Sequence, residues 1–99
     1  MANYHLTNKA VQDLEEIWEY TIEEWSEEQA DKYYEMIIDS CEQIGKNPEL
    51  GKNYPGIRTE LFGLKSNKHI IFYRIVENSP IEITRILHGR MDLRKRINE

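Results

Sequence analysis

A short box, Ser26-Glu27-Glu28-Gln29, divides what would otherwise be one long amphipathic stretch. A serine in this setting accepts a hydrogen bond from the glutamine N–H while the glutamine side chain reaches back, so a new helix starts where the last one stops. The two acids after Ser26 also suit the positive end of that helix. Upstream, Ala10, Val11, Leu14, Ile17, Trp18, Thr21, Ile22 and Trp25 recur at spacings of three and four, with Asp13, Glu15, Glu16, Glu19, Glu23 and Glu24 on a face expected to be solvated. Thr7 stands where this first helix needs its cap. Downstream, the second helix is expected to run to about Ile44, with Gly45 ending it. An αα-hairpin is therefore the unit around which the rest must be built.

The second helix carries Ala30, Tyr33, Tyr34, Met36, Ile37, Ile38, Cys41 and Ile44. At the helical repeat these cover about 200° of its circumference. One packing partner would use about half of that arc, so the helix is expected to touch two things: the sheet and either the first helix or another chain.

The periodicity then changes. Asn47-Pro48-Glu49-Leu50-Gly51 and Asn53-Tyr54-Pro55-Gly56 read as a connecting loop. Ile57 to Leu64 reads as a strand, Lys65-Ser66-Asn67 as a turn, and His69 to Val76 and Ile81 to Leu87 as strong strands separated by Glu77-Asn78-Ser79-Pro80. Tyr4-His5-Leu6 is a short strand whose neighbour is not readable from the sequence. If Val76 faces Ile81, then Ile70, Phe72, Arg74, Ile83, Arg85 and Leu87 share one face of the hairpin, and His69, Ile71, Tyr73, Ile75, Thr84, Ile86 and His88 the other. Both faces are largely apolar, which places the hairpin centrally. The order β-α-α-β-β-β implies an α+β fold, a helical hairpin packed on one face of an antiparallel sheet.

The chain has 99 residues, enough for one domain over 1–99, with residues 90–99 as a basic tail that is helical or disordered. Its net charge of −5 is unevenly spread: residues 1–50 carry thirteen acids against three bases, and residues 51–99 five against ten. The basic half suits nucleic acid or an acidic protein surface. The acidic half repels phosphate at long range, so strong direct nucleic-acid binding is not expected. The lone Cys41 excludes an intrachain disulfide, and no apolar leader or membrane-length stretch is visible, all of which fits the cytoplasm.

Several fragments resemble one family. They are Ala10-x-x-Asp13-Leu14-x-x-Ile17-x-x-Tyr20, Trp25-Ser26-x-x-Gln29-Ala30-x-x-Tyr33, Asn47-Pro48-x-x-Gly51, Ile57-Arg58 and His69-x-Ile71-Phe72-Tyr73. The most specific is Ile83-x-Arg85-Ile86-Leu87-His88-x-x-Met91-Asp92. In this order they resemble the ParE branch of the RelE/ParE toxin–antitoxin superfamily. The resemblance implies the toxin half of a type II pair that poisons DNA gyrase by binding and is masked by a ParD-like antitoxin. It implies no cofactor and no metal.

The rival chemistry is that of the RelE-type ribonucleases, which cut mRNA on the ribosome. Cleavage at a 2′-hydroxyl needs a base, an acid and cations. Those relatives commonly carry an arginine three positions before the tyrosine of the third strand; here Ile70 precedes Tyr73 at that spacing, and no tyrosine follows Tyr73. If the protein were a nuclease, His88, Arg85 and Arg90 would be its groups. A third reading is a non-toxic module that only binds an antitoxin.

Arg85, His88, Arg90, Met91, Arg94, Lys95 and Arg96 are the expected target-binding residues, on charge excess and on the family's use of this end. Arg85, inside an apolar strand, also needs a carboxylate or carbonyl partner. His88 is expected to anchor the end of the last strand by a hydrogen bond to a group such as Asp92. Trp18, Tyr34 and Ile38 are the expected antitoxin-binding residues, because aromatic residues on two adjacent helices suit a groove for an apolar antitoxin helix. His5, His69, His88 and Cys41 match no zinc spacing.

Overall fold

The computed structural model describes residues 3–98; Met1, Ala2 and Glu99 lie outside the described residues, and so do the outermost ends of the 1–99 domain and the 90–99 tail. The elements are β1 (Tyr4–Leu6), α1 (Asn8–Glu24), α2 (Glu27–Lys46), a 3-10 turn (Pro48–Leu50), β2 (Lys52–Asn53), β3 (Phe62–Ser66), β4 (His69–Arg74), β5 (Ile81–His88) and α3 (Leu93–Ile97). The sheet order is β1-β5-β4-β3-β2. The helical hairpin lies on one face of it, as an α+β fold requires.

Both helix starts form as their capping residues dictate. The Thr7 hydroxyl accepts from the Ala10 N–H at 3.1 Å, and Ser26 Oγ accepts from the Gln29 N–H at 3.0 Å. The second helix overruns Gly45 and ends at Lys46, capped by Asn47. Gly45 serves a different purpose: a Cβ there would meet Asn3 Cβ at 3.2 Å, so the missing side chain lets the strand β1 approach be made.

The sheet is mixed. β1 runs parallel to β5, pairing Tyr4 with Ile81 and Leu6 with Ile83, whereas the other three pairings are antiparallel. The third strand begins at Phe62, not Ile57. Residues 57–61 turn instead, and Glu60 sits at a φ of 64°, which no strand accommodates. Ser66 belongs to that strand, and the turn falls on Asn67 (φ 57°) and Lys68.

β4 and β5 pair in the anticipated register from His69↔His88 to Phe72↔Arg85, then slip by one residue, so that Tyr73 pairs with Ile83. Thr84 is the extra residue of this bulge. Its hydroxyl donates to the Phe72 carbonyl at 3.2 Å, and its own carbonyl accepts from the Thr7 hydroxyl at 2.9 Å. The slip reverses the faces on one side of the bulge. Ile81 and Ile83 therefore join Ile71, Tyr73 and Ile86 under the helices, with Ile37, Cys41 and Ile44 from α2. Each such aliphatic side chain contributes about 1.5–3 kcal/mol of burial free energy.

The opposite face is not left bare. Ile70, Phe72 and Leu87 pack there against Leu61 and Ile97, flanked by Tyr54, Ile57 and Leu93. The C-terminal segment is thus helical and docked. Asp92 caps α3 by accepting from the Lys95 N–H at 3.2 Å. Tyr73, fully buried, reaches through the core edge to hold the loop before β2: its hydroxyl donates to the Pro48 carbonyl at 2.6 Å and accepts from the Gly51 N–H at 2.9 Å. A Cβ at Gly51 would lie 2.5 Å from that hydroxyl, which is why the loop needs glycine there.

Candidate functional site

β1 covers β5 only as far as Ile83, although β5 continues to His88. Beyond β1, the exposed edge of β5 would leave backbone groups unpaired. The start of α1 supplies the partners. The Thr7 N–H donates to the Ile83 carbonyl at 3.0 Å, and Asp13 Oδ2 accepts the Ile86 N–H at 3.0 Å. The same carboxylate takes two bonds from Arg85, from Nε at 2.8 Å and from Nη2 at 3.0 Å. Both side chains are nearly buried, at 11% and 8% exposure. Asp13 is therefore not on a solvated face. Its acidic neighbours in sequence suggested that it was, and only the tertiary position of the β5 edge overrides that pattern. Arg85 Nη1 donates further to the Arg96 carbonyl at 2.6 Å, which ties α3 to the strand.

Next to this pair a cleft of about 690 Å³ opens between the hairpin and the far ends of β4 and β5. His88, Arg90, Met91 and Arg96 line it, together with Tyr20, Trp25, Tyr33, Lys68 and His69. Trp25 and Tyr20 are 75% and 62% exposed, high for residues of their size, and they stand at its wall. Tyr33 and His69 share a 2.5 Å hydrogen bond between the phenol oxygen and Nδ1, and the His69 and His88 rings meet edge-to-face at 5.3 Å. Burial, reinforced by the neighbouring His88, pushes the His69 imidazole down to about 4, against a smaller upward pull from Asp13. Burial raises the Tyr33 phenol.

The seven residues marked for target contact thus separate into three groups. Arg85 is an internal cation, held in a buried pair. His88, Arg90, Met91 and Arg96 converge on the cleft. Arg94 and Lys95 lie on α3 outside the cleft lining, and Arg94 Nη2 donates to the Gly56 carbonyl. The strand-end bond of His88 is made with the Arg90 N–H, which donates to His88 Nδ1 at 3.0 Å, because Asp92 is occupied in capping α3. The expected hairpin register already put His69 and His88 on one face, but the completion of the row by Tyr33 from α2 went unread in the sequence. Its members are far apart along the chain, and only the pairing of His69 with His88 in the sheet brings two of them together.

Trp18, Tyr34 and Ile38 lie on the hairpin outside the cleft lining, Tyr34 exposed, Trp18 half-buried and Ile38 half-buried against the core. Asp31, Tyr34 and Ile38 recur at three and four along α2, and Trp18 reaches that stripe from α1 by donating its indole N–H to Asp31 at 3.3 Å. Tyr34 and Val11 remain 43% and 39% exposed. Among the described residues no three His, Cys, Asp or Glu side chains gather as a metal set, and no helix is long and apolar enough to cross a membrane.

The model of the ParE toxin of the type II toxin–antitoxin system, parDE, matches residues 4–93. The chain belongs to the ParE toxin family. ParE relatives include Toxin ParE1 of Mycobacterium tuberculosis, 33% identical with 93% of this chain and 94% of that protein covered. Toxin ParE1 of Caulobacter vibrioides is also 33% identical, with 95% and 96% covered. Among solved structures, a chain of the chromosomal ParDE TA system from P. aeruginosa superposes with a TM-score of 0.76 at 22% identity, over 89% of this chain and 96% of that one. It has the same fold.

Proposed function

We propose that this ParE-family protein acts in the cytoplasm by binding DNA gyrase directly, without cutting a substrate, and is neutralised by a ParD-like antitoxin. The observation that carries this reading is the family match across residues 4–93. It is supported by the engagement of Arg85, the cation most central to the last strand, with Asp13 and not with solvent. The cleft rim of His88, Arg90, Met91 and Arg96, with Arg94 and Lys95 beside it on α3, is the proposed gyrase-facing surface. The hairpin residues Trp18, Tyr34 and Ile38 form the proposed antitoxin surface.

A ribosome-dependent mRNA nuclease is the second reading, favoured by one observation: a phenol and two imidazoles lie in a row at Tyr33, His69 and His88. One experiment separates the two. Purified gyrase supercoils plasmid DNA with and without the protein, and a coupled translation reaction runs beside it. The proposal expects lost supercoiling, accumulated cleaved DNA and intact translation. Collapsed translation with unaffected gyrase overturns it in favour of the nuclease. No effect on either leaves a module that only binds its antitoxin.

A further inference from the structure

The cleft floor has a hydrogen-bonding polarity set by the backbone around it. His88 Nδ1 accepts the Arg90 N–H, so in the neutral ring the proton must sit on Nε2. His69 Nδ1 faces the Tyr33 hydroxyl at 2.5 Å. With the Tyr33 O–H as the donor of this bond, His69 Nδ1 is its acceptor. His69 therefore also carries its proton on Nε2.

Neither Nε2–H has a hydrogen-bond partner among the described residues, and no buried side-chain nitrogen or oxygen among them lacks one. Both Nε2–H groups are thus open to solvent at a floor that offers donors. The Arg90 and Lys68 side chains add cationic donors on the same cleft and make no ion pair among the described residues.

The cleft lining contains two acids, Asp13 and Glu16, and four bases, Lys68, Arg85, Arg90 and Arg96. That balance suits one or two negative charges. A nucleic-acid strand would bring a row of them past Glu16 and the acidic face of α1. The other wall, formed by Ile17, Tyr20, Trp25 and Met91, is apolar and aromatic. We propose that the cleft seats a carboxylate side chain from a segment of a protein partner. His69 and His88 Nε2–H and Arg90 hold the carboxylate, and an adjacent aliphatic residue packs on Tyr20, Trp25 and Met91. The inference rests on the reading that this toxin acts by binding protein, and it names the chemistry of what is bound.

The test uses the full chain with 15N-labelled histidine, at about pH 8, where free imidazole is neutral. Imidazole 1H–15N spectra are recorded while N-acetyl-Leu-Asp-Leu-amide is added. The asparagine counterpart and a short oligouridylate serve as separate titrants. Both rings are expected in the Nε2–H form before addition. The aspartyl peptide should then shift both Nε2 signals saturably, with the asparaginyl peptide and the Arg90→Ala variant each binding about tenfold or more weakly, equivalent to about 1.4 kcal/mol. A proton on Nδ1 of either ring, equal binding of the two peptides, no shift at ~10 mM peptide, or a shift by the oligonucleotide alone each overturns the proposal. Gyrase inhibition by the same preparation is scored in parallel. Inhibition without peptide binding removes only this seat, whereas loss of both removes the gyrase-binding reading as well.

Discussion

Asp13 and Arg85 lie 72 positions apart, yet one carboxylate closes both the guanidinium and the open backbone edge of β5. The pair is nearly buried, so its partners depend on each other. Removing one leaves an uncompensated internal charge.

Asp13→Ala should therefore destabilise the fold by about 3–5 kcal/mol. Asp13→Asn, which keeps an acceptor for the Ile86 N–H, should lose less. Pairing Asp13→Leu with Arg85→Met should recover much of the loss, because an apolar pair of similar volume no longer carries a stranded charge. Urea unfolding midpoints of the single and double variants check this. A double variant as weak as the worse single one would mean that the Ile86 and Arg96 backbone bonds matter more than the charges.

Tyr73→Phe keeps the ring in the core and deletes only the hydroxyl that joins Pro48 to Gly51. The cost should be about 1–3 kcal/mol, as two partly buried backbone groups lose their partner. Amide exchange at Gly51 should quicken more than exchange in β4. Uniform quickening across the sheet would count against a local tether.

His69 is neutral in the folded protein down to about pH 4, whereas an unfolded histidine takes up its proton near 6.5. Its folded value is depressed, so its contribution to stability is complete above the unfolded value. That contribution is lost as pH falls from there toward the folded one. Burial is the main cause, with His88 adding and Asp13 opposing, and Tyr33 needs the neutral ring as its acceptor. Stability should fall between about pH 6.5 and 4 in the parent and less steeply in His69→Gln. Parallel profiles for the two would refute the assignment.

Burial pushes the Cys41 thiol up to about 12, and the residue has no exposed surface. Thiol reagents act on the thiolate. Labelling should therefore proceed only through opening of the hairpin from the sheet, at a rate that tracks urea concentration as unfolding does. Rapid labelling of the native protein would show that α2 lifts locally.

Tyr34→Ala should weaken antitoxin binding by about tenfold or more, while Arg90→Ala should leave it unchanged and reduce gyrase inhibition. Titration calorimetry with the antitoxin and the supercoiling assay supply the two readouts. A reversed pattern would exchange the two surfaces.

Local chemistry was legible wherever one residue acts on its near neighbours. Thr7 and Ser26 cap as their hydroxyls require, and the alternation from His69 onward marks real strands. What failed to show depends on distant partners. Gly45 looks like a helix end, but the requirement it meets comes from Asn3 across the sheet edge. Thr84 looks like any strand residue until the slip in pairing makes it the bulge. For Arg85 the need for a carboxylate or carbonyl partner was readable from its apolar setting, while the choice of Asp13 and the Arg96 carbonyl was not. The same holds for the cleft: Arg85, Arg90 and Arg96 stood out, whereas Lys68 and the Tyr33 phenol beside the imidazoles did not.

The parallel pairing of β1 with β5 has a consequence for how the molecule comes into being. Thr7 bonds Thr84, seventy-seven positions later, so β1 waits for β5 to be made. Contacts so distant in sequence form late, after the costly closure of the intervening chain. A nascent chain stopped before Ile81 has a helical hairpin without its floor and no rim to the cleft. The surface proposed to meet gyrase is thus assembled only once β5 and the residues after it have been made, by the same step that closes the sheet.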